Sequence, residues 1–238
     1  MGKVRRVLKR IKRSKSSKEP LEVRYIAGLV RLYDLVRDVP GHIIEIGTGS
    51  GRNAAIFGEL IWQSGQAGYR RYYGFDTFRG YTSADLESSP HLDQSAHIYS
   101  QSDTESRLRA AGLEDVCQVY AGDVAESLPR FVATPPSGAK FSPSKLRVAL
   151  LYLDCNSYRA ASATLAVIGQ YLSPGAVVAV DETIQGGETE ALAHWCEQSG
   201  YVMQAGSFGS VISAFVQVPT LNPKQFPDSE VIGDQRPP

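Results

Sequence analysis

The sequence predicts an α/β fold: a doubly wound, mostly parallel sheet of about seven strands, with a C-terminal antiparallel hairpin and helices at its N-terminal side. Three observations predict it. Five short apolar runs alternate with segments of helical period, the pattern of parallel strands joined by covering helices. Two later runs, "YVMQAGS" and "VISAFVQV", follow each other with no helix between them and read as an antiparallel edge. The first of the five runs leads straight into a glycine-rich turn, "GTGSG" at residues 47–51.

In chain order, residues 1–19 form a basic segment, residues 20–218 the globular domain and residues 219–238 a Pro-rich tail without periodicity. Nine Lys/Arg and no acid fall in residues 1–18, which leaves sixteen Lys/Arg against twenty-five Asp/Glu in the remainder of a neutral chain. Val4, Val7, Leu8 and Ile11 recur there at helical spacing, so a basic amphipathic helix is expected. Its readings are a solvated tail, a helix docked on the acidic body or on a second subunit of a homo-oligomer, or a contact to anionic lipid or nucleic acid.

A helix from Pro20 to about Arg37 follows, with Ile26, Leu29, Val30 and Tyr33 as its apolar stripe, and "DVPG" stops it. Strands are expected at "HIIEI", "RYYGFD", "VCQVYAGD", "RVALLYLD" and "AVVAVDE". Helices are expected at about 51–63, 103–111, 124–132 and 158–172, the last closed by "SPG", and again at "ETEALAHWCEQSG". Two connections break the rhythm. Residues 79–102 are polar and long, either a functional lid or a disordered loop, and residues 133–145 are a Pro/Ser-rich surface excursion.

Composition narrows the class. A chain of 238 residues suffices for one sizeable core, and 42% hydrophobic with 21% charged residues excludes a disordered chain. Cys117, Cys155 and Cys196 are far apart and form no CxxC pair, which argues for reduced thiols rather than a disulfide or zinc site. No run reaches the length of a membrane span, and "SKSSKEP" follows the basic segment where a secretion signal needs an apolar core. A cytoplasmic protein is expected.

In an open α/β sheet, ligands sit beyond the carboxyl ends of the strands, where glycines let the backbone approach closely and take positive φ. Counted from Gly47, the sixth position is Arg52, so the dinucleotide fingerprint GxGxxG fails, and no GK[ST] follows to make a P-loop. What stands is E-I-G-T-G-S-G. The second strand ends at Asp76, where a carboxylate can accept both ribose hydroxyls. The third ends in "GDV", with Asp123 where an adenine amino group would need an acceptor. Three consecutive strands ending in this way point to a nucleoside ligand.

The ExGxGxG form resembles motif I of class I S-adenosylmethionine (AdoMet) methyltransferases, which are Rossmann-like. "YYGFDTFRGY" looks like the "DSFEGLP" signature of the macrocin O-methyltransferase family. "LLYLDCNSYRAASATLAVIGQYLSPGAVVAVDET" is similar to that family's "LDGDxYESTxxAL…LSPGGxVxVDDY" block. The resemblance covers roughly residues 41–200. It implies O-methylation of a hydroxyl on a small molecule, a sugar moiety of a natural product or a similar diol. The implied cofactor site is Glu45, Gly47, Thr48, Gly49 and Gly51, then Asp76 and Thr77, Asp123 and Val124, and Asp154.

It further implies Mg²⁺ held by Asp154, Asp181 and Glu182. The ends of neighbouring strands can bring these carboxylates together beside the methyl donor, and hard oxygen donors suit Mg²⁺. Two positions depart from the family: Asn156 replaces its second acid, and Asp181-Glu182 replaces Asp-Asp. Metal-assisted in-line displacement follows as the expected mechanism, with Asp154 and a histidine of segment 79–102, His97 ahead of His91, as catalytic candidates. His42 and His194 read as structural. One rival is a nucleic-acid methyltransferase using the basic N-terminus, against which stand the acidic remainder and the lack of an "NPPY" loop. The other is a non-catalytic AdoMet-binding partner protein, which Asn156 and Glu182 would fit.

Overall fold

The structure, a computed structural model, describes residues 21–181, 187–206 and 212–220. The basic segment, residues 221–238 of the Pro-rich tail and Glu182 lie outside the described residues. The strands are β1 (His42–Ile46), β2 (Tyr72–Asp76), β3 (Cys117–Ala121), β4 (Val148–Leu153), β5 (Leu172–Val180), β6 (Gln204–Ala205) and β7 (Ala214–Gln217). They form one sheet in the order β3-β2-β1-β4-β5-β7-β6. β1 to β5 are parallel, and β7 runs antiparallel between β5 and β6. The helices are α1 (Leu21–Val36), α2 (Arg52–Gln63), α3 (Ser83–Ser88), α4 (Gln101–Ala110), α5 (Val124–Ala133), α6 (Tyr158–Ile168) and α7 (Glu188–Ser199). The expected doubly wound sheet and its closing hairpin are both present.

Strands covered on two faces read as unbroken apolar runs, and every residue of β1 and β4 is buried. Alternation then divides the core. Ile44, Ile46, Leu151 and Leu153 pack with Phe131, Leu165 and Leu192 of α5, α6 and α7. Ile43, Leu150 and Tyr152 pack with Leu29, Leu32 and Phe57 of α1 and α2. Each fully buried Leu or Ile contributes about 1.5–3 kcal/mol. The strand order reverses between β1 and β4, which opens a crevice at their carboxyl ends.

Three expectations need correction. The buried stripe of α1 is Leu29, Leu32, Tyr33 and Val36, whereas Ile26 is exposed, because the helix meets the sheet with its second half. Its C-terminus is capped by Arg70, a buried cation whose Nη2 donates to the carbonyl of Val36 at 3.1 Å and also to that of Val39. The "SPG" triplet does not end a helix. α6 stops at Ile168, a 3₁₀ turn follows, and Ser173-Pro174-Gly175 lie within β5. The β4–β5 register shifts between Val148 and Leu150, an irregularity of the kind that accommodates a proline in a strand.

Segment 79–102 holds a helix. Thr82 and Asp85 form a reciprocal capping box that starts α3. Segment 133–145 runs over the surface and touches the core at two points. Phe141 lies 5.2 Å from the Phe131 ring, and the Lys140 N–H donates to the Tyr73 hydroxyl at 3.2 Å. Among the described residues no helix is long and apolar enough to cross a membrane.

His42 is structural, as expected. It is buried edge-on to Tyr73 at 5.3 Å, and its Nδ1 accepts the Arg71 N–H at 3.1 Å. Burial, then the cations Arg71 and Arg70, push its pKa down from 6.5 to about 4. As pH falls from 6.5 to about 4 the unfolded chain therefore gains a proton that the native chain refuses, and stability is lost. Urea unfolding of His42→Gln across this range is expected to lack that slope, worth about 3 kcal/mol in the native protein.

Candidate active site

A cleft of about 250 Å³ opens at the crevice. The turn from β1 to α2 lines it with Gly47, Thr48, Gly49 and Ser50; the end of β2 adds Asp76 and Thr77, and the turn after β3 adds Gly122, Asp123 and Val124. Asp154, Cys155, Asn156 and Ser157 follow from β4. Tyr25 of α1, Arg52 and Asn53 of α2, and Tyr81, Asp85, His97 and Tyr99 of segment 79–102 complete the wall. Glu45, Gly51, His91 and Asp181, also expected at the site, are not among the lining residues.

The glycine turn is shaped by close packing. Gly47 has φ 95°, and a Cβ there would stand 1.9 Å from the Asp154 carbonyl oxygen. Gly51, at φ 80°, is the N-cap of α2, where a Cβ would meet Thr104 at 2.7 Å. Both glycines allow a close approach of neighbouring residues, and of the two only Gly47 also faces the cleft. The Gly49 N–H donates to Asp76 Oδ2 at 2.8 Å and the Phe78 N–H to Oδ1 at 2.7 Å. Asp76 is thereby aimed at the cleft. Burial raises its pKa, and the two N–H bonds offset part of that rise.

Asp123 caps α5 through the Ala125 N–H at 3.0 Å. Arg159 grips both of its oxygens, with Nη1 donating at 3.1 Å and Nη2 at 2.6 Å. Burial opposes ionisation of Asp123, but the hydrogen bonds from Arg159 and Ala125 bring its pKa below the ordinary value.

Glu45 lies behind the cleft, wholly buried. Its carboxylate accepts from Asn53 Nδ2 at 2.6 Å and from the Tyr72 hydroxyl. Burial pushes its pKa from 4.5 up to about 7, although the two hydrogen bonds oppose this. Asn53 is a junction: Nδ2 also donates to Asp154 Oδ2 at 3.1 Å, and Oδ1 accepts from the Tyr25 hydroxyl. Burial, then the charges of Asp181, Glu188 and Glu45, drive the Asp154 carboxyl well above its usual range. Asp181 Oδ1 accepts from the Tyr152 hydroxyl at 2.8 Å. Glu188 Oε2 receives the N–H groups of Cys155 and Asn156, both at 2.7 Å, and so shapes the turn after β4. Among the described residues no group of three His, Cys, Asp or Glu side chains is placed to hold a metal ion. The expected trio is described only for Asp154 and Asp181, because Glu182 lies outside the described residues.

Of the two candidate histidines only His97 reaches the cleft. It has φ 58° and packs 5.6 Å from Tyr81. His194 is packed in α7, its Nδ1 3.0 Å from the Tyr158 hydroxyl. Sequence reasoning missed Tyr25, Asn53, Asp85 and Arg159. One signal was available, the T-x-x-D spacing of Thr82 and Asp85.

A family model described as "Methyltransferase domain" matches residues 44–183, well over half of the chain. It is a model of the broad domain and does not single out the macrocin enzymes. No curated protein matches the sequence. Among solved structures, a calicheamicin methyltransferase has TM-score 0.68 at 23% identity, covering 91% of this chain and 91% of its own. The O-methyltransferase NovP has TM-score 0.64 at 18% identity over 80% and 79%. An apo structure described as a TDP-rhamnose 3'-O-methyltransferase of calicheamicin biosynthesis has TM-score 0.62 at 22% identity over 91% and 93%. At such identities the likeness establishes the fold.

The contact at Gly47 gives a direct test of the turn. Gly47→Ala is expected to cost about 3 kcal/mol or more, since the added methyl meets main chain that has no rotamer to yield. Chemical denaturation checks it.

Proposed function

The chain belongs to the methyltransferase-domain family, and on that premise we propose that it transfers a methyl group from AdoMet to a hydroxyl of a small molecule, a sugar moiety of a natural product or a similar diol. One observation carries the reading: the bared glycine turn, Asp76, Asp123 and Asp154 meet in a single cleft at the reversal of strand order. The turn of Gly47, Thr48 and Gly49 admits the methionine part of the cofactor. Asp76, fixed by two N–H groups, has lone pairs left for the ribose hydroxyls, with Thr77 beside it. Asp123 and Val124 take the adenine edge. The acidic surroundings of Asp154 favour the cationic sulfonium. The printed names of the similar structures, one a TDP-rhamnose 3'-O-methyltransferase, support a sugar hydroxyl as acceptor.

Asp154 and the neighbouring wall handle the acceptor. Ionised beside the sulfonium, the Asp154 carboxylate would take the hydroxyl proton as the oxygen attacks the methyl in line and the S–CH₃ bond breaks to leave S-adenosylhomocysteine. His97, on the cleft wall, is the second candidate base. Tyr25, Tyr81 and Tyr99 provide apolar faces that orient a ring and exclude water. Asp154 and Asp181, with Glu182, are the donors Mg²⁺ would use, and oxygen donors that repel one another fit a hard cation. Such an ion would lower the pKa of the acceptor hydroxyl.

Calorimetric titration with AdoMet, with and without Mg²⁺, on the native protein and on Asp154→Ala, tests both parts. The native protein is expected to bind AdoMet, and Asp154→Ala to keep that binding while losing the heat of Mg²⁺. Methyl-labelled AdoMet offered with a panel of free, glycosidic and nucleotide-linked sugars is expected to yield an O-methylated product. Tight uptake of NADH with no heat from AdoMet would overturn the reading.

A further inference from the structure

Segment 79–102 and the end of the cleft assigned to adenine meet at one side chain. Arg159, the second residue of α6, holds both oxygens of Asp123 and extends Nη1 to Asp85 Oδ1 at 3.3 Å. Asp85 is only 5% exposed and ties α3 together. Its Oδ2 accepts from the Thr82 N–H at 3.0 Å and the Thr82 hydroxyl at 2.6 Å, while Oδ1 accepts from the Ser157 hydroxyl at 2.7 Å. At the other end of α3, Ser89 Oγ accepts the Tyr158 N–H at 3.1 Å. The helix is therefore anchored on residues 157–159, and the Arg159 guanidinium bridges it to Asp123.

We infer that Arg159 is a positioning residue for the cofactor, whose fork on Asp123 and arm on Asp85 couple occupancy of the adenine end to the seating of α3 against α6. This rests on the AdoMet reading. A guanidinium has donors enough to fix the Asp123 carboxylate with one edge and reach a second acid with another, and its planarity transmits orientation between the two. A ligand that aligns Asp123 holds Arg159, and Arg159 holds Asp85. The wall carrying Tyr81 is then set before the acceptor arrives. Binding free energy at one end of the cleft thereby orders the other.

Hydrogen exchange of residues 82–92 and 47–51, with and without saturating S-adenosylhomocysteine, tests the coupling on the native protein, Arg159→Ala, Arg159→Lys and Asp85→Asn. In the native protein the ligand is expected to slow exchange in both segments. Arg159→Ala is expected to bind about tenfold more weakly, to keep the protection of 47–51 and to lose that of 82–92. Arg159→Lys, a point charge without the fork, restores only part of both. Asp85→Asn, which spares the Arg159–Asp123 pair but also removes a cap of α3, is expected to keep more affinity than Arg159→Ala, and Arg159→Lys decides the matter should Arg159→Ala not fold.

Ligand-dependent protection of 82–92 that survives in Arg159→Ala would mean direct contact suffices, and the inference fails. It fails equally if that variant exchanges faster at 82–92 without ligand yet binds with native affinity, since Arg159 is then a brace only. Absence of binding by the native protein sinks the AdoMet reading itself, an outcome distinct from native binding with an unaltered exchange pattern in the variants.

Discussion

At Gly47 the main chain passes so close to the end of β4 that no side chain fits between them, and the cleft is built around this contact. The Asp154 N–H donates to the Ile46 carbonyl at 2.8 Å, and the Gly47 N–H donates to the Phe75 carbonyl at the same distance. Three parallel strands are thus locked at their carboxyl ends by main-chain bonds. Everything polar in the cleft is measured from that rim. Asp76 and Asp154 stand on either side of it because their strands pair with β1 on either side. Parallel pairing makes the ends of the strands coincide, and a glycine in the left-handed region lets the central strand leave without a collision.

The carboxylates around this rim are held at an electrostatic cost. Asp154 and Glu45 take part in no ion pair among the described residues, and burial pushes both toward the neutral form. Asn53 shares its amide hydrogens between them and so restrains both without neutralising either. A cationic ligand arriving beside such a cluster would favour the ionised form that burial opposes. The Asp123 end of the cleft is arranged in the opposite way. There Arg159 already compensates both Asp123 and Asp85.

What could be read from the chain is what short-range physics writes into it. β1 was legible to the residue from its apolar run, and β2 to β4 to within a residue or two. The glycine turn was legible because positive φ leaves few alternatives to Gly. Glu45 lies behind the cleft wall for a reason written in the strand. It alternates with Ile44 and Ile46, so it must share the face of Ile43 beneath α2 and cannot point beyond the strand end. Pro174 and Gly175 were read as a stop because they punctuate most sequences, whereas here a register shift absorbs them within β5. Arg159 and Asp85 are separated by more than seventy residues, and no local pattern announces that a cation on α6 will be shared between α3 and the turn after β3. Tertiary partners of this kind become visible only once the sheet order is known.

Asn156 occupies the left-handed region, with φ 55°, in the turn where Glu188 accepts its N–H. Few side chains tolerate that backbone: glycine does, and asparagine and aspartate do better than the rest. The Asn of this chain and the Asp of the similar motif therefore answer the same stereochemical demand while differing by a whole charge. A single exchange of Asn for Asp at residue 156 therefore alters the charge at this corner while the left-handed peptide path beneath it is kept.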